Sequence, residues 1–182
     1  MPPSLPHLPS CRSVATSHEQ HYWRHDTVNF IDPQQLAHLL PLAVNWAREQ
    51  ESYILQNGEP LTASQTDDAR LVPVEHPEKV RLLSVDEIPS PDNPLLRTAA
   101  QITGLIPTNT IGLTLRYGIF MQSDYGQDRK LIVHELAHVA QYERCGGIAE
   151  FLKQYLLECI TIGYPDAPME QEAVSIANRI CS

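Results

Sequence analysis

Two histidines and a glutamate stand together in the run L-I-V-H-E-L-A-H-V-A, at residues 131–140. His134 and His138 are four residues apart, so a helix would place them one turn apart on the same face. Two imidazoles at this spacing can bind one Zn²⁺ ion, and Glu135 beside them can accept a proton from a water on that ion. The flanking residues are mostly apolar, which predicts a buried helix rather than a solvated helix with two unrelated histidines. Buried polar side chains need partners, and a metal would provide one for all three.

The third ligand of such a site has to come from elsewhere in the chain. A catalytic zinc usually has three protein ligands, and no histidine follows His138. The third ligand must then be Glu, Asp or Cys. In the last predicted helix, helical spacing aligns Glu170 with Val174, Ala177 and Cys181. Glu170 therefore belongs to the apolar face that should dock on the metal helix, while Glu172 lies nearer its edge and is the alternative ligand.

The motif resembles the active-site helix of the zincin metallopeptidases. Its ending, H-E-L-A-H-V-A-Q, is similar to the H-E-L-x-H-x-x-Q form of small bacterial members, and the resemblance covers roughly residues 110–180. The metzincin pattern fails, because Gln141 stands in the place of its glycine and Arg144 in the place of its third histidine. Peptide deformylases share the motif but take an upstream cysteine, and here the only one is Cys11, in a proline-rich segment.

A glutamate on a downstream helix, as in the gluzincins, remains. The run M-E-Q-E-A at residues 169–173 resembles their E-x-x-A-[DN] signature, which implies Glu170 as the zinc ligand. Val174 departs from this signature, which has Asp or Asn there. That acidic or amide side chain usually supports a histidine ligand. Either another side chain therefore orients His134 or His138, or these histidines have no such support.

The resemblance implies a zinc-dependent peptidase in which Glu135 is the general base. The metal activates a water and polarises the substrate carbonyl, and Glu135 passes the proton to the leaving amine. A second electrophile is expected across the cleft, with Tyr117, Tyr142 and Tyr164 as candidates. The strand ahead of the metal helix, within residues 111–121, is expected to form the edge of a small sheet and to bind an extended peptide.

A regulatory or scaffold module is the alternative function. Such a zincin-like domain would bind one zinc ion and a protein partner but turn over little. The departure at Val174 and the short chain leave room for it. Glu135 argues for the enzyme, because a structural zinc site has no use for a general base and is normally closed by four protein ligands.

The remaining pattern predicts an α+β fold, and the resemblance implies that it is zincin-like, with a short β-sheet packed on the metal helix. Helices are predicted over residues 33–56, 95–102, 128–143, 148–162 and 169–180, and strands over 80–85 and 110–121. Asp32 and Asp166 are predicted to cap the first and last helices, Pro41 to kink or split the first one, and Gly104 to close the second. Residues 59–79 read as a loop.

Composition bounds the organisation of the chain. The sequence has 182 residues, which predicts a proline-rich flexible arm over residues 1–13 and one domain over 14–182. Its net charge of −9 argues against a nucleic-acid surface, which usually needs a basic stripe. The peptide or protein partner is what the family resemblance implies. Histidines 18, 21 and 25 are not expected to form a second metal site, because no buried acidic or thiolate ligand stands nearby.

Cysteine usage and hydropathy predict a cytoplasmic protein. The four cysteines are far apart and form no C-x-x-C pair, which argues against a zinc knuckle and a disulfide framework and favours reduced thiols. The first residues lack a basic segment followed by an apolar run, and no stretch approaches 18 consecutive apolar residues. We therefore expect neither a secretion signal of the general pathway nor a membrane span.

Overall fold

The structure, a computed structural model, describes residues 33–102, 106 and 109–182. These residues form six α-helices and one four-stranded sheet, which confirms the α+β prediction. In chain order the elements are α1 Pro33–Asn57, β1 Glu59–Pro60, α2 Ala63–Leu71, β2 Arg81–Val85, α3 Pro94–Ile102, β3 Gly112–Leu115, β4 Gly118–Gln122, α4 Arg129–Cys145, α5 Ile148–Thr161 and α6 Pro168–Ile180. The predicted arm, the three N-terminal histidines, Asp32 and Gly104 lie outside the described residues. None of the described helices is long and apolar enough to cross a membrane.

The sheet has the strand order β1-β2-β4-β3. Strand β2 pairs with β4 in parallel, while β1 and β3 pair antiparallel to their neighbours. The strand directly ahead of α4 is therefore an interior strand, and the edge strands are β1 and β3. The expectation that the strand directly ahead of the metal helix is an edge strand was therefore wrong.

The prediction of one strand over 110–121 was also wrong, because the chain reverses within it. Strands β3 and β4 form a hairpin, and Arg116 at its turn has φ 60°, in the left-handed region. Helix α1 stabilises the turn, since the N–H of Tyr117 donates to Glu51 Oε1 on α1 at 3.3 Å. Gly118 lets α1 approach, because a Cβ added there would lie 2.9 Å from Cβ of Ile54. Contacts with α1 thus stabilise a reversal that has no typical turn sequence.

Strand β4 is buried on both faces of the sheet. Phe120 belongs to an apolar cluster built mainly with α1, α3 and α5. Ile119 and Met121 belong to a second cluster built mainly with α2, α4 and α6. Helix α4 therefore packs on one face of the sheet and α1 with α5 on the other, which holds the histidine motif close to the edge strand β3.

The prediction that residues 59–79 are a loop was wrong. They contain β1 and α2, and α2 begins with a capping box in which Thr62 and Gln65 bond each other's backbone N–H. Helix α2 lacks a continuous apolar face, and an ion pair with α4 holds it in place. The buried carboxylate of Asp68 accepts two hydrogen bonds from Arg129, at 2.8 and 2.9 Å. Because Arg129 is the first residue of α4, this pair fixes the position at which that helix starts.

Helix α1 runs through Pro41 without being split. Proline removes the hydrogen bond that the carbonyl of residue 37 would accept. Both Ala37 and Pro41 are exposed, so water can satisfy that carbonyl. The helix therefore tolerates the proline on its solvent side while Ala43, Val44 and Ala47 pack inward.

Candidate metal centre

Helix α4 carries the two histidines and is capped at both ends. Asp128 Oδ1 accepts the N–H groups of Lys130 and Leu131, at 2.9 and 3.1 Å. Gly146 ends the helix in the left-handed conformation, with φ 91°. The predicted range 128–143 therefore agrees with the observed helix to within two residues. The apolar side of α4 packs on the sheet and on α2, which leaves the histidine face directed towards α6.

Helix α6 brings Glu170 to this face, as the spacing predicted. Only 4% of Glu170 is exposed. The expectation that Asp166 caps the helix was wrong: Ala167 occupies the cap position, and its side chain makes no capping bond. A carboxylate from α5 takes this role, because Glu158 Oε2 accepts the N–H of Met169 at 2.9 Å. The start of α6 is thus held by α5.

The side chains of His134, His138 and Glu170 converge on one point. The two Nε2 atoms are 3.2 Å apart, and the carboxylate oxygens of Glu170 lie 3.2 Å from Nε2 of His138 and 3.5 Å from Nε2 of His134. Tetrahedral zinc with bonds of 2.0–2.1 Å needs ligand atoms about 3.3–3.4 Å apart. Each of these distances is close to that value, and the two histidines face different oxygens of the Glu170 carboxylate. Among the described residues this is the one group of three side chains that could hold a metal ion.

Glu172, the alternative ligand, lies outside this group. Its carboxylate accepts two hydrogen bonds from Arg144, at 2.7 and 2.9 Å. Arg144, which stands in the place of the metzincin histidine, is thereby occupied in an ion pair at the protein surface. Cys11, the ligand that a deformylase-like site would require, lies outside the described residues.

The protein groups of the site perturb each other's protonation. Burial disfavours the charged form of His138, but the hydrogen bond and charge of Glu170 outweigh it and raise the pKa of His138 to about 9. Burial likewise opposes ionisation of Glu170, yet hydrogen bonds from His134 and His138 lower the pKa of its carboxyl far below the usual range. Glu170 is therefore an anion at neutral pH, the form that a cation requires.

We expect metal binding to displace a proton from His138. A ligand Nε2 must be deprotonated, and a pKa of about 9 means that this ring carries both protons at pH 7. Zinc affinity should therefore rise by about tenfold per pH unit between pH 7 and 9, as one proton is released, and then level off. Calorimetry in buffers of different ionisation enthalpy measures the released proton. The same titration of His76→Gln, which alters an exposed imidazole outside the site, is the control; a pH-independent affinity would contradict the prediction.

Tyr155 on α5 is a site residue that sequence reasoning missed. Its hydroxyl donates to Glu170 Oε1 at 2.6 Å. Burial, and then the charge of Glu170, raise the pKa of Tyr155 well above its usual value, so it stays a hydrogen-bond donor. Phe151 and Cys159 lie one turn to either side on the same face. A tyrosine on an apolar helix face needs a partner for its hydroxyl. This requirement is the sequence signal that could have identified Tyr155 as a site residue.

Glu135 is buried on the sheet side of the motif, with 4% of its surface exposed. Its carboxylate Oε2 lies 2.7 Å from Oγ1 of Thr114, which donates to it from β3. Gly112, two residues earlier on β3, leaves room for the carboxylate. A Cβ added at Gly112 would lie 2.9 Å from Cδ of Glu135 and still closer to Oε1. The edge strand therefore sets the position of this carboxylate.

A cleft of about 840 Å³ opens in front of these groups. Strand β3 forms one wall, α5 and the turn after it form the other, and the motif side chains of α4 and Glu170 of α6 form the floor. This volume lies within the range of sites that hold small ligands or several side chains of a peptide.

The structure separates the three candidate tyrosines. Tyr117 does not line the cleft and packs in the second apolar cluster. Tyr142 lines the cleft, but it is buried and its hydroxyl donates to the carbonyl of Thr114 at 3.3 Å. Tyr164 lines the cleft and is 46% exposed. Burial, followed by the charges of Glu170 and Glu135, raises the pKa of Tyr164, which is consistent with a protonated phenol near both carboxylates.

Comparisons with protein-family models, with curated proteins and with solved structures gave no match to this chain.

Proposed function

We propose that this protein is a zinc-dependent metallopeptidase with a zincin-like active site. The observation that carries the proposal is the convergence of His134, His138 and Glu170 at 3.2–3.5 Å, in a cleft that also contains the Glu135 carboxylate. Three ligands suit a catalytic site, which keeps a position open. A carboxylate next to the ligands, held by a hydrogen bond from the neutral Thr114 hydroxyl, suits a general base.

Each residue of the site has a separate role in the proposed reaction. His134, His138 and Glu170 would hold Zn²⁺, which supplies a Lewis acid for the scissile carbonyl and lowers the pKa of a water molecule. Glu135 accepts the proton of the attacking water and donates it to the leaving amine. The phenol of Tyr164, kept protonated by its raised pKa, donates a hydrogen bond to the oxygen on which negative charge develops.

The edge strand suits an extended polypeptide as substrate. The carbonyl of Ile111 accepts the N–H of Gln122 at 2.9 Å, so Gly112 and Thr114 turn their backbone groups away from β4. The carbonyl of Thr114 already accepts the hydroxyl of Tyr142. Gly112, beside the Glu135 carboxylate, is therefore the position at which a peptide would add to the sheet.

The direct test is hydrolysis of an unstructured polypeptide, such as denatured casein, by the purified chain. We expect about one zinc per chain, as the single ligand group implies, and cleavage that stops on chelation and returns when one equivalent of zinc is restored. His134→Ala should retain almost no zinc, because two ligands remain. A zinc-loaded chain that leaves a broad set of unstructured peptides intact would refute the peptidase proposal and leave the metal site standing.

We expect Gly112→Ala to reduce hydrolysis while zinc binding is kept. The new methyl group would overlap the Glu135 side chain, and the displaced carboxylate would lie away from the attacking water. A displacement of about 1 Å can cost about 10²-fold in rate. Cleavage rate and zinc content are measured together. Gly126→Ala is the matched control, because its Cβ would make only ordinary contacts, at 3.6 Å or more. Equal activity of both variants would show that the approach of β3 does not position Glu135.

A further inference from the structure

Gln141 is a buried amide on α4, three residues after His138, and its surface is 1% exposed. Its side chain makes three hydrogen bonds. Oε1 lies 2.8 Å from Nδ1 of His138, and Nε2 donates to the carbonyl of Met169 at 2.9 Å and to the carboxylate of Glu172 at 3.0 Å. The amide therefore connects one metal-ligating histidine with the first turn of α6.

The partners of Gln141 leave its amide one orientation. A backbone carbonyl and a carboxylate can only accept, so the side chain must direct its NH₂ group towards Met169 and Glu172. Its oxygen then faces His138, and Nδ1 of that ring must be the donor. In the neutral imidazole the lone pair consequently lies on Nε2, the atom that faces His134 and Glu170 at 3.2 Å.

The same amide also places the third ligand. Met169, whose carbonyl it binds, directly precedes Glu170 in α6. Glu172, its other acceptor, is held in turn by two hydrogen bonds from Arg144. These bonds fasten the first turn of α6 to α4. The residue that the gluzincin signature would use for support is absent, since Val174 is an apolar side chain, 40% exposed.

We propose that Gln141 is the positioning residue of the metal centre: it holds His138 in the tautomer whose Nε2 can bind the ion, and it docks the helix turn that carries Glu170. This inference rests on the proposed metal site and adds to it the group that orients the ligands. Loss of such an outer partner weakens metal binding by about 10–100-fold.

The test compares zinc affinities of the full-length wild type, Gln141→Met and the control Gln56→Met by competition with a chromogenic chelator. Gln141→Met keeps the length of the side chain but removes all three hydrogen bonds, so we expect zinc to bind about 10–100-fold more weakly. Gln56→Met makes the same chemical change on the exposed side of α1 and should bind zinc like the wild type. Thermal unfolding with a chelator present checks that both variants fold.

A second measurement needs no variant. In the zinc-loaded wild type, NMR should show the Nδ1–H proton of His138 as a slowly exchanging resonance, because it is buried and bonded to Gln141. Rapid exchange of this proton, or equal affinity of a folded Gln141→Met variant, would overturn the role of Gln141 while the metal site stands. A wild-type chain that binds no zinc would overturn both.

Discussion

Glu135→Gln is expected to abolish peptide hydrolysis, by at least about 10²-fold, without loss of zinc or of the fold. The amide has nearly the shape of the carboxylate and can still accept the Thr114 hydroxyl, which lies 2.7 Å from Oε2. It cannot accept a proton from water at neutral pH. The measurement is the cleavage rate of one peptide under substrate-limited conditions, with zinc content determined on the same samples.

This variant also separates the enzyme from the scaffold alternative. Glu150→Gln makes the same chemical change on the exposed first turn of α5 and should leave the rate unaltered. A protein that only holds zinc and a partner would tolerate Glu135→Gln in every assay. Equal hydrolysis by the wild type and Glu135→Gln would therefore end the general-base assignment.

Glu170→Gln is expected to act on a different quantity, the affinity for zinc. It removes the one negative charge among the three ligands, while the amide oxygen can still accept the Tyr155 hydroxyl, which lies 2.6 Å from Oε1 of Glu170. Loss of this ligand should exceed the effect of losing an outer partner, so we expect affinity to fall by at least about 10²-fold. Metal per chain after gel filtration and a chelator competition both report it.

Glu172→Gln is the matched control for this change. It lies two residues further along α6 and pairs with Arg144 instead of facing the histidines. A much smaller loss of affinity in Glu172→Gln than in Glu170→Gln would support the ligand assignment. The opposite pattern would transfer the third-ligand role to Glu172 and show that the geometry of α6 is different when metal is bound.

Helices with a periodic apolar pattern and cap residues of their own could be predicted from the sequence alone. The apolar pattern around His134 and His138, with Asp128 before it and Gly146 after it, was sufficient to place α4 within two residues. The alignment of Glu170 with Ala177 on α6 predicted the burial of both, because a docked helix face repeats every three to four residues. Val174, aligned with them, is instead 40% exposed and lines the cleft. The α+β class followed from the same periodicities.

Other features depended on partners that are distant in sequence. The reversal at Arg116 is held by Glu51 and Ile54 of α1 and has no typical turn sequence. Helix α2 has a local start signal in its capping box but no continuous apolar face, and Arg129 of α4 holds it in place. A tyrosine or glutamine inside a helix has many potential partners, and only packing decides which it meets. Tyr155 and Gln141 are therefore site residues only because the packing of α6 against α4 and α5 brings Glu170 and Met169 to them.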